Sequence, residues 1–311
     1  MLCSLKAWTQ QPSHFILGEE ELSGINIYDL HQDIKGNYWI ASNNGIYKYD
    51  SYNIKKITCA KMTSTSVFNF VEDYENSVYC HNLSGQIFKM KNDSCIEYFK
   101  IPDSLMSHDM SYEFDNKNRL TIATKRLFQV SATKEISLII KSPVSSYVQV
   151  YRDTDSSIVF YDVTKNNLLK LKDGEIIEID LKLNENCKPS FSYHNQSVIS
   201  FDRTTGEIIP EMSSDENAKL PIFKYHNNFT RYYSDNTNFW VPNLSGGIFV
   251  FDEKLEVKNN YKPLFQSNVI SSFLRDNEGN IILGTFGNGL IVMTNLDILD
   301  IEITTLTSKI T

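Results

Sequence analysis

A turn carrying Asp or Asn recurs along this chain at Asp33, Asp73, Asp115, Asp153, Asn195, Asp235 and Asp276, in steps of 40, 42, 38, 42, 40 and 41 residues, and each time it stands between two short apolar segments. A second mark agrees with this period: Asn82-Leu83-Ser84-Gly85 returns as Asn243-Leu244-Ser245-Gly246, 161 residues later and close to four periods away. One such copy is too small to bury its own apolar faces, so the copies must stack on one another.

In the first copy, Ile25, Ile27 and Leu30 mark a strand, Asp33-Ile34-Lys35-Gly36 a tight turn, and Tyr38 to Ser42 a second strand. Asn43-Asn44-Gly45 turns the chain into Ile46 to Tyr49, and Ile54 to Thr58 forms a fourth strand. Helical repeats of similar length need apolar residues at i, i+3, i+4 and i+7, whereas these segments alternate and are rich in Ile, Val, Tyr and Phe. Four strands in about forty residues predict an all-β fold, a seven-bladed β-propeller of four-stranded antiparallel blades closed by strands from the termini; the fifth copy, Phe191 to Ile209, matches least, and a six-bladed ring with one irregular excursion is the alternative. His14 to Leu17 and Ile298 to Leu306 both qualify as closing strands; both are expected in the last blade, in an order the sequence leaves open. The expected organisation is a signal-like or disordered segment over 1–12, one propeller over 13–306 and a tail over 307–311. Trp39, Tyr79 and Trp240 occupy matched strand-two positions, which Thr121, Val159 or Phe160, and Phe201 take in the middle copies.

A net charge of -8, from 30 basic and 38 acidic residues, lacks the basic excess that phosphate backbones require and argues against a nucleic-acid partner. No apolar run approaches a membrane-spanning length, and Met1 to Trp8 looks like the tail of a secretory signal. The five cysteines (Cys3, Cys59, Cys80, Cys95, Cys187) are odd in number and have no metal-ligand spacing, so isolated thiols on strands are expected. Cys59 and Cys80 are the pair that could meet across neighbouring strands. His14, His31, His81, His108, His194 and His226 are scattered and form no zinc spacing, and neither a metal nor a cofactor is expected. Gly284 to Gly289 resembles a phosphate loop but lacks the following Lys-Ser/Thr and reads as a hairpin connection. Asp276-Asn277-Glu278-Gly279-Asn280 lacks the ligand alternation of a calcium loop and reads as a turn in which Asp bonds its own backbone.

In a propeller the loops between strands two and three gather on one face around the channel. Here they supply Asn43, Asn44, Asn82, Ser84, Lys125, Arg126, Thr164, Lys165, Asn243, Ser245, Phe286 and Asn288. This amide-rich set with cationic corners suits a hydroxylated or anionic small molecule, a glycan fragment for instance, with Phe286 as a stacking surface. The competing reading is that these Asn and Ser residues only make the turns.

The copies resemble the two-component regulator propeller repeat, found in extracytoplasmic sensor regions of Bacteroidetes histidine kinases and hybrid two-component sensors. The match rests on His14-Phe15 through Glu20, Leu22-Ser23, Ile27, Asp33, Gly36, Trp39, Ile40, Ser42, Gly45, Ile46, Tyr49 and Asp50. It returns in Val269, Asp276, Gly279, Asn280, Gly284, Thr285, Gly289 and Leu290, while the interior copies match mainly by period. The resemblance implies a periplasmic or extracellular ligand-sensing ring that feeds a membrane helix and a histidine kinase module, with a dimeric partner of the same kind. Neither a phosphoacceptor-His segment nor a nucleotide-binding domain is present in these residues, so a non-enzymatic sensor is expected. A propeller lyase or hydrolase is the alternative, needing His81 or His108 to converge with Arg126, and a protein-interaction scaffold is the third.

Overall fold

The turn aspartates organise the chain locally before any packing is considered. In a computed structural model that describes residues 11–91, 93–107, 110–140, 150–162, 167–182, 191–194, 197–201, 208–210, 233–235, 237–243, 245–252 and 262–294, Asp33, Asp73, Asp115, Asp153, Asp235 and Asp276 are each only 5–7% exposed. At Asp33 the carboxylate Oδ1 accepts the Lys35 and Asn37 backbone N–H groups at 2.9 Å each, and the Gly36 N–H closes the turn on the Asp33 carbonyl. Glu75 and Ser77 repeat the arrangement on Asp73, Lys117 and Arg119 on Asp115, and Glu278 and Asn280 on Asp276. The third residue after five of these six aspartates sits in the left-handed region: Gly36 at φ 82°, Asn76 at 60°, Asn118 at 53°, Ser156 at 66° and Gly279 at 89°, while the Asp235 turn is one residue shorter and closes on Asn238. Gly and Asn dominate there because they tolerate that conformation. Asn195 lies outside the described residues.

The turns join strands into antiparallel meanders. The first comprises β2 (Ser23–Gln32), β3 (Tyr38–Ser42), β4 (Gly45–Tyr49) and β5 (Ile54–Cys59), after a short β1 (His14–Leu17). The second comprises β6 (Val67–Glu72), β7 (Val78–Asn82), β8 (Gln86–Lys91) and β9 (Ser94–Lys100). The third has β10 (Ser111–Phe114), β11 (Leu120–Ala123), β12 (Leu127–Val130) and β13 (Ile136–Ile140). The fourth has β14 (Val150–Arg152), β15 (Ile158–Asp162), β16 (Asn167–Lys172) and β17 (Glu175–Lys182). Two groups follow with three described strands each, β18 (Phe191–His194), β19 (Ser197–Phe201) and β20 (Ile208–Pro210), then β21 (Tyr233–Ser234), β22 (Phe239–Pro242) and β23 (Ile248–Phe251). The last copy supplies β24 (Ile270–Arg275), β25 (Ile281–Asn288) and β26 (Leu290–Met293). No helix occurs among the described residues.

Its fourth strand comes from the other end of the chain. β1 pairs antiparallel with β26, His14 opposite Met293 and Leu17 opposite Leu290. Of the two closing candidates, His14 to Leu17 therefore takes the place beside β26; Ile298 to Leu306 falls outside the described residues. Gln11 lies ahead of the expected domain start, yet its side chain accepts the Phe265 N–H at 3.0 Å.

The core lies between consecutive meanders. Trp39, Ala41 and Ile46 pack against Val67, Val78 and Phe88 of the second copy, and Tyr79 and Ile87 against Tyr112, Leu120 and Phe128 of the third. Ala123 and Leu127 meet Val150, Ile158 and Phe160; Trp240 and Val250 meet Phe273 and Leu283; Ile282 and Val292 meet Leu22, Ile27 and Ile40. Apolar seams thus join the last two copies to the first four. This is the stacking that the repeat requires, since each face is too small to be buried alone.

Two further links cross between copies. Ser23 and Asn26 of β2 pair with Asn288 and Phe286 of β25, so Gly284 to Asn288 is extended backbone joining two meanders as well as the approach to a hairpin. At the periphery β5 runs parallel to β9, with Cys59 opposite Cys95. Those two cysteines form a disulfide, which corrects the expectation of isolated thiols and of a Cys59–Cys80 encounter. Cys80 is a buried thiol on β7, and burial raises its pKa. The sequence rule fails because Cys59 and Cys95 occupy equivalent outer strands of neighbouring copies, a proximity set by how copies pack and not by spacing.

Candidate functional site

Within one meander the aspartate turn and the strand two–three loop lie at opposite ends, and the two ends differ in chemistry. At the turn end, each aspartate's second oxygen meets a donor that varies between copies. Trp39 Nε1 donates to Asp33 Oδ2 at 2.9 Å, the Tyr79 hydroxyl to Asp73 at 2.8 Å and Trp240 Nε1 to Asp235 at 2.8 Å. Where the position matched to Trp39 and Tyr79 is Thr121 or Val159, Arg119 serves Asp115 at 2.7 Å and Lys170 serves Asp153 at 2.5 Å. Asp276 instead accepts from Tyr38 of the first copy at 2.8 Å, across the junction of the chain ends. Burial pushes the Asp33 and Asp235 carboxyls up, but their donors outweigh it and hold both below the ordinary 3.8. The matched aromatics read from the sequence are partners of buried carboxylates.

At the loop end, most of the expected binding residues fix the backbone. Asn43 Oδ1 accepts the Asn26 N–H at 3.0 Å, and its carbonyl accepts from Thr65 of the next copy. Asn44 donates to the Tyr47 hydroxyl and accepts from Lys56, each at 2.9 Å. Asn82 is fully buried, donating to Ser64 and Gln86 while its Oδ1 accepts the Ser84 and Gln86 N–H groups. Asn243 repeats part of this with the Ser245 N–H, so the recurring tetrapeptide is a turn whose Asn holds the backbone two residues on. Lys100 reaches the Ser84 carbonyl. Asn288 donates to Asn268 Oδ1 at 2.8 Å. Lys125 is exposed, and Arg126 is half-buried with its carbonyl accepting the Thr124 N–H. Thr164 and Lys165 lie outside the described residues.

Phe286 differs from this set, since its ring is 39% exposed. It stands edge-on to Tyr28 at 6.1 Å between centroids, and Tyr28 is stacked on Phe68 at 4.7 Å with 16° between the planes. The row continues inward through His81, 5.8 Å from Phe68 and 5.6 Å from Tyr112. Three copies thus contribute half-open rings to one surface, with the Asn43–Asn26 and Asn288–Asn268 contacts beside it. Sequence reading picked out Phe286 but missed Tyr28 and Phe68. A signal was present, because both stand five residues before their turn aspartates, Asp33 and Asp73. His81 is buried between rings, and His108 lies outside the described residues, so the expected approach of either to Arg126 is not among the described contacts. Among the described residues no group of His, Cys, Asp and Glu could hold a metal, and no helix is long and apolar enough to cross a membrane.

Solved structures give the fold a precedent. The chain is of β-propeller type. A streptogramin B lyase superposes with TM-score 0.67 at 14% identity, over 94% of this chain and 100% of its own. The extracellular domain of a hybrid two component system from B. thetaiotaomicron superposes with TM-score 0.60 at 14% identity, over 92% of this chain and 42% of its own length. The WD40 β-propeller domain of Doa1 matches with TM-score 0.58 at 11% identity, over 91% of this chain and 95% of its own. At such identities the likeness is one of fold, and it is shared by sensors and an enzyme alike. No family model matches the sequence, and no curated protein matches it.

Proposed function

We propose that the chain is a non-enzymatic ligand-sensing propeller in which seven blades close into a ring, β1 completing the last blade, and a small molecule binds at the loop end. The observation that carries this reading is the half-exposed row Phe286–Tyr28–Phe68, drawn from three copies and flanked by side-chain amides. Rings offer stacking faces and amides offer both donors and acceptors, a combination suited to a hydroxylated ligand such as a glycan fragment. A periplasmic or extracellular location is supported by the Cys59–Cys95 disulfide, which persists in oxidising compartments, and by the fold shared with sensor extracellular domains. In this reading a histidine kinase module or a second sensor chain is the partner.

The test is a thermal-shift screen against neutral oligosaccharides and small anions, repeated on Phe286→Ala, Asn44→Ala and Asn243→Ala. A ligand that raises the melting temperature of the parent should lose that effect in Phe286→Ala. An unchanged response in all three variants rejects the loop end as the site.

The likeness to streptogramin B lyase over nearly the whole of both chains favours a second reading, a lyase acting at the same mouth. Incubation with a streptogramin B, followed by liquid chromatography and fragment-ion mass spectrometry for a new product, separates the two. Turnover supports the lyase; binding without turnover supports the sensor.

A further inference from the structure

The turn end of the inner strands holds a set of ionisable groups that neither the aspartate turns nor the aromatic row uses. Arg152, the last residue of β14, donates from Nε and Nη2 to Glu113 Oε2 of β10 at 3.2 and 3.0 Å. The same Nη2 also donates to the backbone carbonyl of Glu72 on β6, two copies away, and the guanidinium lies 5.0 Å from the Tyr74 ring centroid. The Glu72 side chain is engaged at one oxygen only: Oε2 meets His31 Nε2 of β2 at 3.0 Å, while Oε1 is buried and takes no hydrogen bond from the protein. One guanidinium therefore stands between two carboxylates, bonded to the first and touching only the backbone of the second.

We propose that Arg152 is shared between these two carboxylates, and that a proton on Glu113 hands it to Glu72, making the turn end of β6, β10 and β14 a proton-operated latch. With Glu113 ionised, the guanidinium ties β14 to β10 by a charged pair. When Glu113 takes a proton from solvent it becomes a neutral acid, and the charge-assisted part of that pair is lost. Glu72 Oε1 is an uncompensated acceptor on a residue whose carbonyl Arg152 already contacts. A short rotation of the side chain then ties β14 to β6 instead.

The charged groups that act on Glu113 are Arg152 from β14 and His31 from β2, and through these two it is linked to Glu72 of β6; β11, its pairing neighbour, carries no titratable residue. Burial raises the Glu113 pKa above its ordinary 4.5, against the lowering effects of Arg152 and His31. The folded state therefore binds this proton more tightly than the unfolded chain. Stability from this group is fully present below the unfolded value and is lost as pH rises through the folded one.

The experiment compares melting temperature against pH, from about 5 to about 8, for the parent, Glu113→Gln and Glu72→Gln. The parent should lose melting temperature as pH rises. Glu113→Gln, which cannot ionise, should lose the part of this fall that Glu113 supplies, and Glu72→Gln should show a shallower fall, because the protonated state then offers Arg152 a neutral amide oxygen in place of a carboxylate. Parallel profiles for the parent and Glu113→Gln overturn the latch. Should Glu113→Gln fail to fold, carbon-13 carboxyl spectra of the parent decide: a Glu72 carboxyl signal that shifts in step with the titration of Glu113 supports the latch, and a Glu72 signal indifferent to it overturns the latch.

Discussion

At the scale of single residues, the recurring aspartate does the most to specify the fold. Its Oδ1 closes the turn, and its Oδ2 anchors a donor on the following strand, so one buried carboxylate joins local and tertiary structure. Tyr79→Phe removes only the hydroxyl that serves Asp73 and should cost about 1–3 kcal/mol in urea unfolding, the penalty for leaving a buried acceptor short of a donor. Because the Asp33 and Asp235 carboxyls lie below their ordinary 3.8, their contribution is fully present above that pH and is lost as pH falls through the folded values. Acid unfolding followed by circular dichroism should therefore begin below pH 3.8 for this part of the chain, and Asp33→Asn should weaken that acid dependence. The position of most turns was legible in the sequence because Asp, and Gly or Asn three residues on, have local reasons to be there; Ser156 takes that place after Asp153. The donor to Oδ2 was not legible: Trp39 stands six residues after its Asp, but Arg119 stands four and Lys170 seventeen after theirs, and Tyr38 serves Asp276 from 238 residues away.

At the scale of elements, strand limits followed from alternation and turn chemistry; β3 and β4 fall where Tyr38–Ser42 and Ile46–Tyr49 were expected. What lay beyond sequence reading were contacts between equivalent strands of different copies. The Cys59–Cys95 disulfide and the Tyr28–Phe68 stack both depend on the angle at which one meander packs on the next, and no spacing rule encodes that angle. The disulfide closes a loop of 36 residues, for which the chain-entropy account gives about 3–4 kcal/mol. Cys59→Ser, or reduction of the parent, should lower unfolding stability by up to that amount, and non-reducing peptide mapping should recover the Cys59–Cys95 pair. β1 is the other element with consequences beyond its length. Removing His14–Leu17 would leave β26 with an unpaired edge, and such edges recruit other chains. A truncation starting at Gly18 should self-associate in size-exclusion chromatography, while the parent should not do so through this edge.

At the scale of the whole molecule, apolar seams run from the sixth copy through the seventh and first to the fourth, with the two ends of the chain meeting inside one sheet. The period and its stacking were legible in the sequence, since a forty-residue β unit cannot bury its faces alone. The surface proposed to bind a ligand was legible only in part. Amides chosen for ligand chemistry, Asn82 above all, prove to hold turns, whereas the rings that give the loop end an open apolar surface follow from three inner strands arriving side by side. Sensing at that surface presupposes a closed ring, and small-angle X-ray scattering of the purified chain tests closure most directly. A ring of 311 residues should give a radius of gyration of about 19 Å. Seven sheets stacked in an open row at ~10 Å spacing would raise that value by only about 2 Å but would extend the longest interatomic distance to about 70 Å, well beyond that of a compact ring, and that result would contradict the account.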